Sequence, residues 1–324
     1  MNKYINTATY LLSHCGALKP GEKLFLIGDE TTAELMEYFV QGAMDLGAHV
    51  KYTFMPLANR HGMEPSDEIA ASMLQVDLVA ALTLKSIAHT RARLALNSKG
   101  GRFLSLPGYS QVLFDDPALL VDYHAQFTLT RSVSEAFTRG NKVRVCTKAG
   151  TDILLNISGR EGNCCPGFVN KNFGLGSPPD IEANVSPVEE DSEGVAVVDG
   201  SVATEELGLL ETPIILHIGG GRIVRFESEN PEYVRSCEEI FTGIGNPLAY
   251  VLAECGVGLN PAAKLTGNML TDEGALGCVH FGFGSNATVG GKNDVPFHLD
   301  FVFRNASLWV DDRPVLIDGI PIKE

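Results

Sequence analysis

The run Val295-Pro-Phe-His-Leu-Asp300 sets an imidazole and a carboxylate two residues apart. On a strand, His298 and Asp300 share one face, and Leu299 and Phe301 point the other way. Such a donor pair suits a borderline or hard divalent cation. Because His-x-Asp is a common strand pattern, its surroundings matter. Gly290-Gly-Lys-Asn-Asp294 precedes it, and glycines there let backbone come close to a site. His280 stands in a second strand-like run, Gly277-Cys-Val-His-Phe-Gly-Phe-Gly284, where the alternative is a hydrogen-bonded core histidine. Glu254 stands in the apolar stretch Leu252-Ala-Glu-Cys-Gly-Val-Gly258. A carboxylate there is costly unless paired or metal-bound, the alternative being a solvated helix end. Glu182, in Pro178-Pro-Asp-Ile-Glu-Ala-Asn-Val185, is more ambiguous, since acids in loops are usually just hydrated. Together these are three carboxylates and two imidazoles, more than a closed structural zinc uses and suited to two close cations bridged by one carboxylate. Such a pair polarises a carbonyl and deprotonates water near neutral pH, leaving a carboxylate as general base.

These side chains need a scaffold, and the chain supplies two patterns. In the first 140 residues strands alternate with helices. Lys23–Gly28 reads as a buried strand, and Thr31 or Thr32 caps a helix that runs to about Leu46 and stops at Gly47. His49–Phe54, Val76–Leu82 and Arg102–Leu106 read as strands, Ser66–Leu74 and Thr90–Asn97 as helices, and Pro117–Thr138 as one longer helix. Alternation of this kind predicts a parallel sheet covered on both faces. From about residue 141 to 324 hairpin-like strands take over: Lys142–Thr147, Asp152–Ile157, Gly194–Val198, Thr212–Ile218, Arg222–Phe226, Cys278–Phe283, His298–Arg304, Ser307–Val310 and Pro314–Ile317, with a helix at Pro231–Phe241. The expectation is an α/β protein with an N-terminal parallel α/β domain (1–140) and a mixed, largely antiparallel α+β metal-binding domain (141–324). Gly219-Gly-Gly-Arg222 lacks the Gly-Lys-Ser/Thr ending of a phosphate loop and reads as a hairpin turn. Gly28 lacks the dinucleotide-binding glycine pattern.

Composition narrows the partners. A net charge of −15 argues against nucleic acid, which needs clustered Lys and Arg. No window approaches a membrane span, and the start shows no secretory signal. Seven scattered cysteines point to free thiols in a reducing compartment, hence the cytoplasm.

The run Glu254-Cys-Gly-Val-Gly-Leu-Asn-Pro-Ala-Ala-Lys-Leu-Thr-Gly-Asn268, followed by Asp272-Glu273 and Gly277-Cys-Val-His280, resembles the metal-site region of the thermophilic-type aminopeptidases, aminopeptidase T and aminopeptidase S. Thr147-Lys-Ala-Gly-Thr-Asp152 and Pro187-Val-Glu-Glu-Asp-Ser-Glu-Gly194 resemble that family too, and the similarity covers most of residues 140–312. It implies a homodimeric two-metal enzyme with Glu182, Glu254, His280, His298 and Asp300 as ligands and Glu254 doubling as catalytic base. Two features depart from it. Ala287 stands where the family places a catalytic tyrosine, and the stretch from His280 to His298 is shorter.

A second branch of the same superfamily, the 2,5-dihydroxypyridine 5,6-dioxygenase group, is resembled by Gly284-Ser-Asn-Ala-Thr-Val-Gly-Gly-Lys292, His298-Leu-Asp300 and Arg304-Asn-Ala-Ser-Leu-Trp-Val-Asp-Asp312. Those enzymes hold one Fe(II) on two histidines and an aspartate. His298 and Asp300 match two of these, Glu254 stands at the third, and His280 could complete a two-histidine, one-carboxylate set by a different route. His89, in Ser86-Ile-Ala-His-Thr-Arg-Ala-Arg93, matches a histidine of that group's first domain and would face substrate as acid or base. The alternative for His89 is a hydrated residue at a helix start.

The carboxylate-rich donor set makes a metal-dependent hydrolase of an amide or peptide bond the first expectation, with two Zn, Mn or Co ions per chain and a small-molecule or short-peptide substrate. The runner-up is a mononuclear Fe(II) ring-cleaving dioxygenase acting on a hydroxypyridine-like compound. A non-catalytic binding protein is the third.

Overall fold

The computed structural model describes residues 2–204 and 206–322. Contacts divide the chain into two units: Met1–Tyr123 with Cys165–Pro179, and His124–Cys164 with Asp180–Glu324.

The first unit is built on a parallel sheet. Lys23–Gly28 pairs with His49–Phe54 on one side and Leu78–Leu82 on the other, and Arg102–Ser105 follows. Leu175–Gly176 adds a short fifth strand, also parallel. Leu24–Ile27 and Leu78–Leu82 are buried throughout, because helices cover both faces of such a sheet. Phe25, Ile27, Val79, Ala81 and Phe103 form a core with Met73 and Leu96 of the helices Asp67–Met73 and Arg91–Ser98.

Two helix expectations need revision. The helix expected from Thr31 or Thr32 runs Ala33–Asp45, and Thr32 occupies its N-cap without capping it. The Thr32 hydroxyl is spent elsewhere, donating to the Leu82 carbonyl at 2.6 Å, and Asp29 caps the preceding turn instead. The single helix expected over 117–138 is a short 3-10 turn, Pro117–Leu120, and then a helix, Tyr123–Arg139. Val121 is extended between them.

The second unit carries two sheets. The eight-stranded one is antiparallel and runs in the order Arg222–Glu227, Ile214–Gly219, Ser192–Val198, Asp152–Asn156, Lys142–Cys146, Ser307–Val310, Arg313–Ile317, Ile320–Pro321. Gly220 and Gly221 turn its first hairpin in the left-handed region, as the hairpin reading expects. The seven-stranded sheet contains, side by side, Glu182–Val185, Leu252–Gly258, Val279–Gly284 and His298–Phe303, all antiparallel. One face of these strands is apolar: Val185, Cys255, Val257, Phe281, Phe283, Phe301 and Phe303 are all fully buried. Phe241, from the helix Pro231–Gly243, packs against it with ring centroids 6.4 Å from Phe283 and 6.2 Å from Phe301.

The architecture is therefore α/β, with a parallel sheet in the first unit and antiparallel sheets in the second. No helix among the described residues is long and apolar enough to cross a membrane. The seven cysteines form no disulfide.

Candidate metal centre

The other face of the four strands carries the five donor residues. Register explains how. Glu254, Gly282 and Asp300 lie opposite one another in one row across three strands. In the next row Asn184, Gly256 and His280 are opposite, and beyond it Glu182 faces Gly258. His298 faces Gly284. Each donor therefore has a glycine as cross-strand neighbour. Neighbouring side chains on one sheet face normally stand about 5 Å apart and block each other's lean. Here the glycines leave room. A methyl group at Gly282 would sit 2.6 Å from His298 Nε2 and 2.7 Å from Asp300 Oδ1, and one at Gly256 would sit 2.1 Å from His280 Nε2. The donors converge over positions that hold no side chain.

Two triads result, sharing one carboxylate: Glu182–Glu254–His280 and Glu254–His298–Asp300. His280 Nε2 is 3.1 Å from Glu182 Oε2 and 4.0 Å from Glu254 Oε1. His298 Nε2 is 3.3 Å from both Glu254 Oε2 and Asp300 Oδ1. The first triad is buried, whereas the His298 side chain is 33% exposed and forms the rim. His298 Nδ1 lies 2.8 Å from the Ser285 carbonyl. A carbonyl only accepts, so Nδ1 carries the proton and Nε2 is the nitrogen turned to the carboxylates. Asn184 Nδ2 donates to Glu182 Oε1 at 2.7 Å and steadies that side chain.

Carboxylate charge is concentrated on this face. Among the described residues no lysine or arginine pairs with any of these carboxylates. Two carboxylates 4 Å apart repel by about 4 kcal/mol even at an effective dielectric near 20. The histidines carry the compensation. Burial alone would depress His280, yet the Glu182, Asp300 and Glu254 carboxylates raise it to about 9. Burial works the same way on His298, and Asp300 and Glu254 again prevail, holding it well above the ordinary imidazole range. Burial pushes Asp300 up, but His298 and His280 pull it down to about 2. Burial raises Glu254, Glu182 and Asp300 raise it further, and His298 opposes them.

The donor set also fits a metal by what it leaves unsatisfied. Glu182 Oε2 and Asp300 Oδ1 are buried and make no hydrogen bond, although an imidazole nitrogen lies close to each. Two further acids, Asp180 and Glu273, belong to the surroundings. Each has a buried oxygen without a hydrogen bond, and burial first, then the carboxylates of the cluster, raise both well above the usual range. Neither stands in the donor set expected from the sequence. The signal for Asp180 was its place two residues before Glu182, the same spacing as His298 and Asp300. His89 lies outside both triads, exposed in the turn before the helix Arg91–Ser98.

Fold and site together define an α/β protein with a candidate cation centre on a glycine-lined antiparallel sheet. The chain belongs to the NicX family, 2,5-dihydroxypyridine 5,6-dioxygenase, whose family model matches residues 3–323. A curated 2,5-dihydroxypyridine 5,6-dioxygenase from Pseudomonas putida KT2440 is 31% identical over 144 residues, which is 41% of this chain and 40% of that protein. The match thus spans two fifths of the relative's length. A solved structure of 2,5-dihydroxypyridine dioxygenase from the same organism superposes with a TM-score of 0.84 at 18% identity, covering 100% of this chain and 99% of the other. AmpT from Thermus thermophilus superposes with a TM-score of 0.70 at 14% identity over 99% of each chain. At these identities both structures speak for the fold alone.

Family membership overturns the first functional expectation. A hydrolase of the aminopeptidase T type, cleaving an amide or peptide bond, is not what the family match supports; it supports the runner-up. The labels hydrolase, aminopeptidase and metalloprotease fall with it. The expectation rested on counting carboxylates, and the family match goes against what that count suggested. Ala287, where the peptidases place a tyrosine, lies in an exposed turn and offers no hydroxyl.

Proposed function

We propose that this protein is a metal-dependent ring-cleaving dioxygenase whose substrate is a small hydroxylated pyridine of the 2,5-dihydroxypyridine type. The observation that carries the reading is the Glu254–His298–Asp300 triad at the rim of the sheet, in a chain that matches this family from residue 3 to 323.

We assign the redox ion, Fe(II), to the rim triad. His298 is the partly exposed donor, so a small molecule reaches this triad, while His280 is sealed beneath. One imidazole and two carboxylates are donors that suit a first-row divalent ion and leave coordination positions open. A bound redox ion supplies the one-electron chemistry that a spin-paired ring does not offer dioxygen. The chain's own residues do the rest. Glu254 turns one oxygen to His298 and the other to His280, so the two triads are mechanically one unit. His298, held by Ser285 through Nδ1, keeps Nε2 aimed inward. Glu182 and His280 stand beside Glu254 and would accept a second divalent ion such as Zn, Mn or Co.

His89 is our candidate for moving the substrate's hydroxyl proton. The two assignments separate in one experiment. His298→Ala should lower the iron content of anaerobically purified protein by about tenfold or more. His89→Gln should keep the iron and lose turnover. Iron retained in full by His298→Ala would remove that residue from the centre, and undiminished turnover in His89→Gln would remove His89 from the reaction.

A further inference from the structure

The connection from the His280 strand to the His298 strand, residues 285–297, has no regular structure, yet buried polar groups hold it. Its anchor lies outside it, in the segment Pro187–Gly194. Glu189 Oε1 accepts from the Lys292 backbone N–H at 2.7 Å and from Asn286 Nδ2 at 3.1 Å. Glu189 Oε2 pairs with Arg160 Nη2 at 2.5 Å, and Arg160 Nη1 donates to the Gly290 carbonyl at 2.6 Å. Both side chains of this pair are mostly buried, 10% exposed for Arg160 and 18% for Glu189. One carboxylate and one guanidinium thus grip the loop at three points.

Inside the loop the grip passes to Asn286, which is fully buried. Its Oδ1 accepts from the Asn293 backbone N–H at 2.7 Å. Asn293 Nδ2 in turn donates to the Gly284 carbonyl at 2.5 Å. Gly291 has no side chain for a reason, since a Cβ there would lie 1.9 Å from Asn286 Cγ. The residues on both sides of Ser285 are therefore fixed. Ser285 is the residue whose carbonyl accepts from His298 Nδ1–H at 2.8 Å, and its own N–H donates to the carbonyl of Phe297, the neighbour of His298, at 2.8 Å.

We propose that Glu189 is a positioning residue for His298, acting through Arg160, Asn286 and the Ser285 carbonyl to fix the imidazole with Nε2 turned to Glu254 and Asp300. The inference rests on the reading of His298 as a metal ligand and adds to it the device that orients the ligand. Groups that receive the second N–H of a ligating imidazole usually set both its tautomer and its affinity. A loop anchor with no such role would leave the coordination of His298 unchanged as long as the protein is folded.

The test uses full-length metal-free protein titrated with Co(II), whose visible absorption reports the coordination geometry. It is run at a temperature where circular dichroism shows each variant fully folded. Glu189→Gln is the first variant. Arg160→Lys, which keeps the charge but lacks the fork needed to reach Glu189 and Gly290 together, is the second and is read alone if the first does not fold. The expected result is Co(II) binding weakened about tenfold or more with an altered absorption band. In histidine-labelled protein loaded with Zn(II), nitrogen NMR should show the His298 Nε2-bound form of the wild type giving way to a mixture. Wild-type affinity, spectrum and tautomer in the folded variants would overturn the inference and leave the metal centre standing. Wild-type protein that takes up no Co(II) would instead overturn the metal-centre reading itself.

Discussion

At the residue scale the centre depends as much on glycines as on donors. The two central strands read Glu254-x-Gly-x-Gly258 and His280-x-Gly-x-Gly284, a donor and two glycines on one face at period two. The donors were legible as chemistry-bearing residues in apolar runs. The glycines were legible as letters, but their purpose was not, because it depends on register: Gly282 matters only since it lies between Glu254 and Asp300. Gly282→Ala should place a methyl group against His298 Nε2 and Asp300 Oδ1, and metal binding should fall by about tenfold or more in folded protein. An alanine variant that binds metal like the wild type would show that the donors do not gather over this position. The histidines also give a pH signature. His280 holds its proton up to about 9 in the metal-free cluster, against 6.5 for an ordinary imidazole. The folded state therefore binds this proton more tightly than the unfolded chain. Its stabilisation is complete below pH 6.5 and is lost as pH rises through about 9. At about 1.4 kcal/mol per unit, the loss is on the order of 3 kcal/mol. Thermal melts of metal-free protein should fall over this range, and bound metal, which needs unprotonated imidazole, should abolish the slope. A flat metal-free profile would contradict the assignment.

At the element scale the four strands separate two jobs by face. One face carries donors and glycines, the other phenylalanines packed on Phe241. Phe301 adjoins Asp300 in sequence, points the opposite way, and is fully buried. Phe301→Ala should cost about 3–5 kcal/mol of stability through the cavity it leaves. Protein that remains folded at low temperature should still bind metal, and loss of metal without loss of stability would show that the faces are not separable. Strand His298–Phe303 was readable in the sequence because its donors alternate with apolar residues. Leu252–Gly258 was not so readable. All seven of its residues are buried, so no polar-apolar alternation marks it, and a helix end was an equal reading for Glu254. Glu182 read as a loop acid for the same reason, since Glu182–Val185 is buried on both faces. The parallel sheet of the first unit was legible because strand and helix patterns alternate and its central strands are short apolar runs, although His49–Phe54 at the edge is largely exposed. The break at Val121 was missed because helix periodicity continues across it.

At the scale of the whole molecule, the fold is shared with proteins of two different kinds. The chain superposes on AmpT as well as on the dioxygenase, so architecture alone does not choose between them. Five donors in a sequence invite a count, and the count of acids pointed to hydrolysis. A buried carboxylate is satisfied equally by one redox ion or by two hydrolytic ones, so the residues do not choose, and the family match favours the dioxygenase reading over the hydrolase. The substrate of the account is a hydroxylated pyridine ring opened by dioxygen, and oxygen consumption measures that directly. Protein reconstituted with Fe(II) and given 2,5-dihydroxypyridine should consume about one molecule of oxygen per ring lost, with the ring absorbance disappearing in step. An iron-loaded, folded protein that consumes no oxygen with this substrate or its close hydroxypyridine analogues, or that releases an amine from a peptide amide instead, would contradict the account.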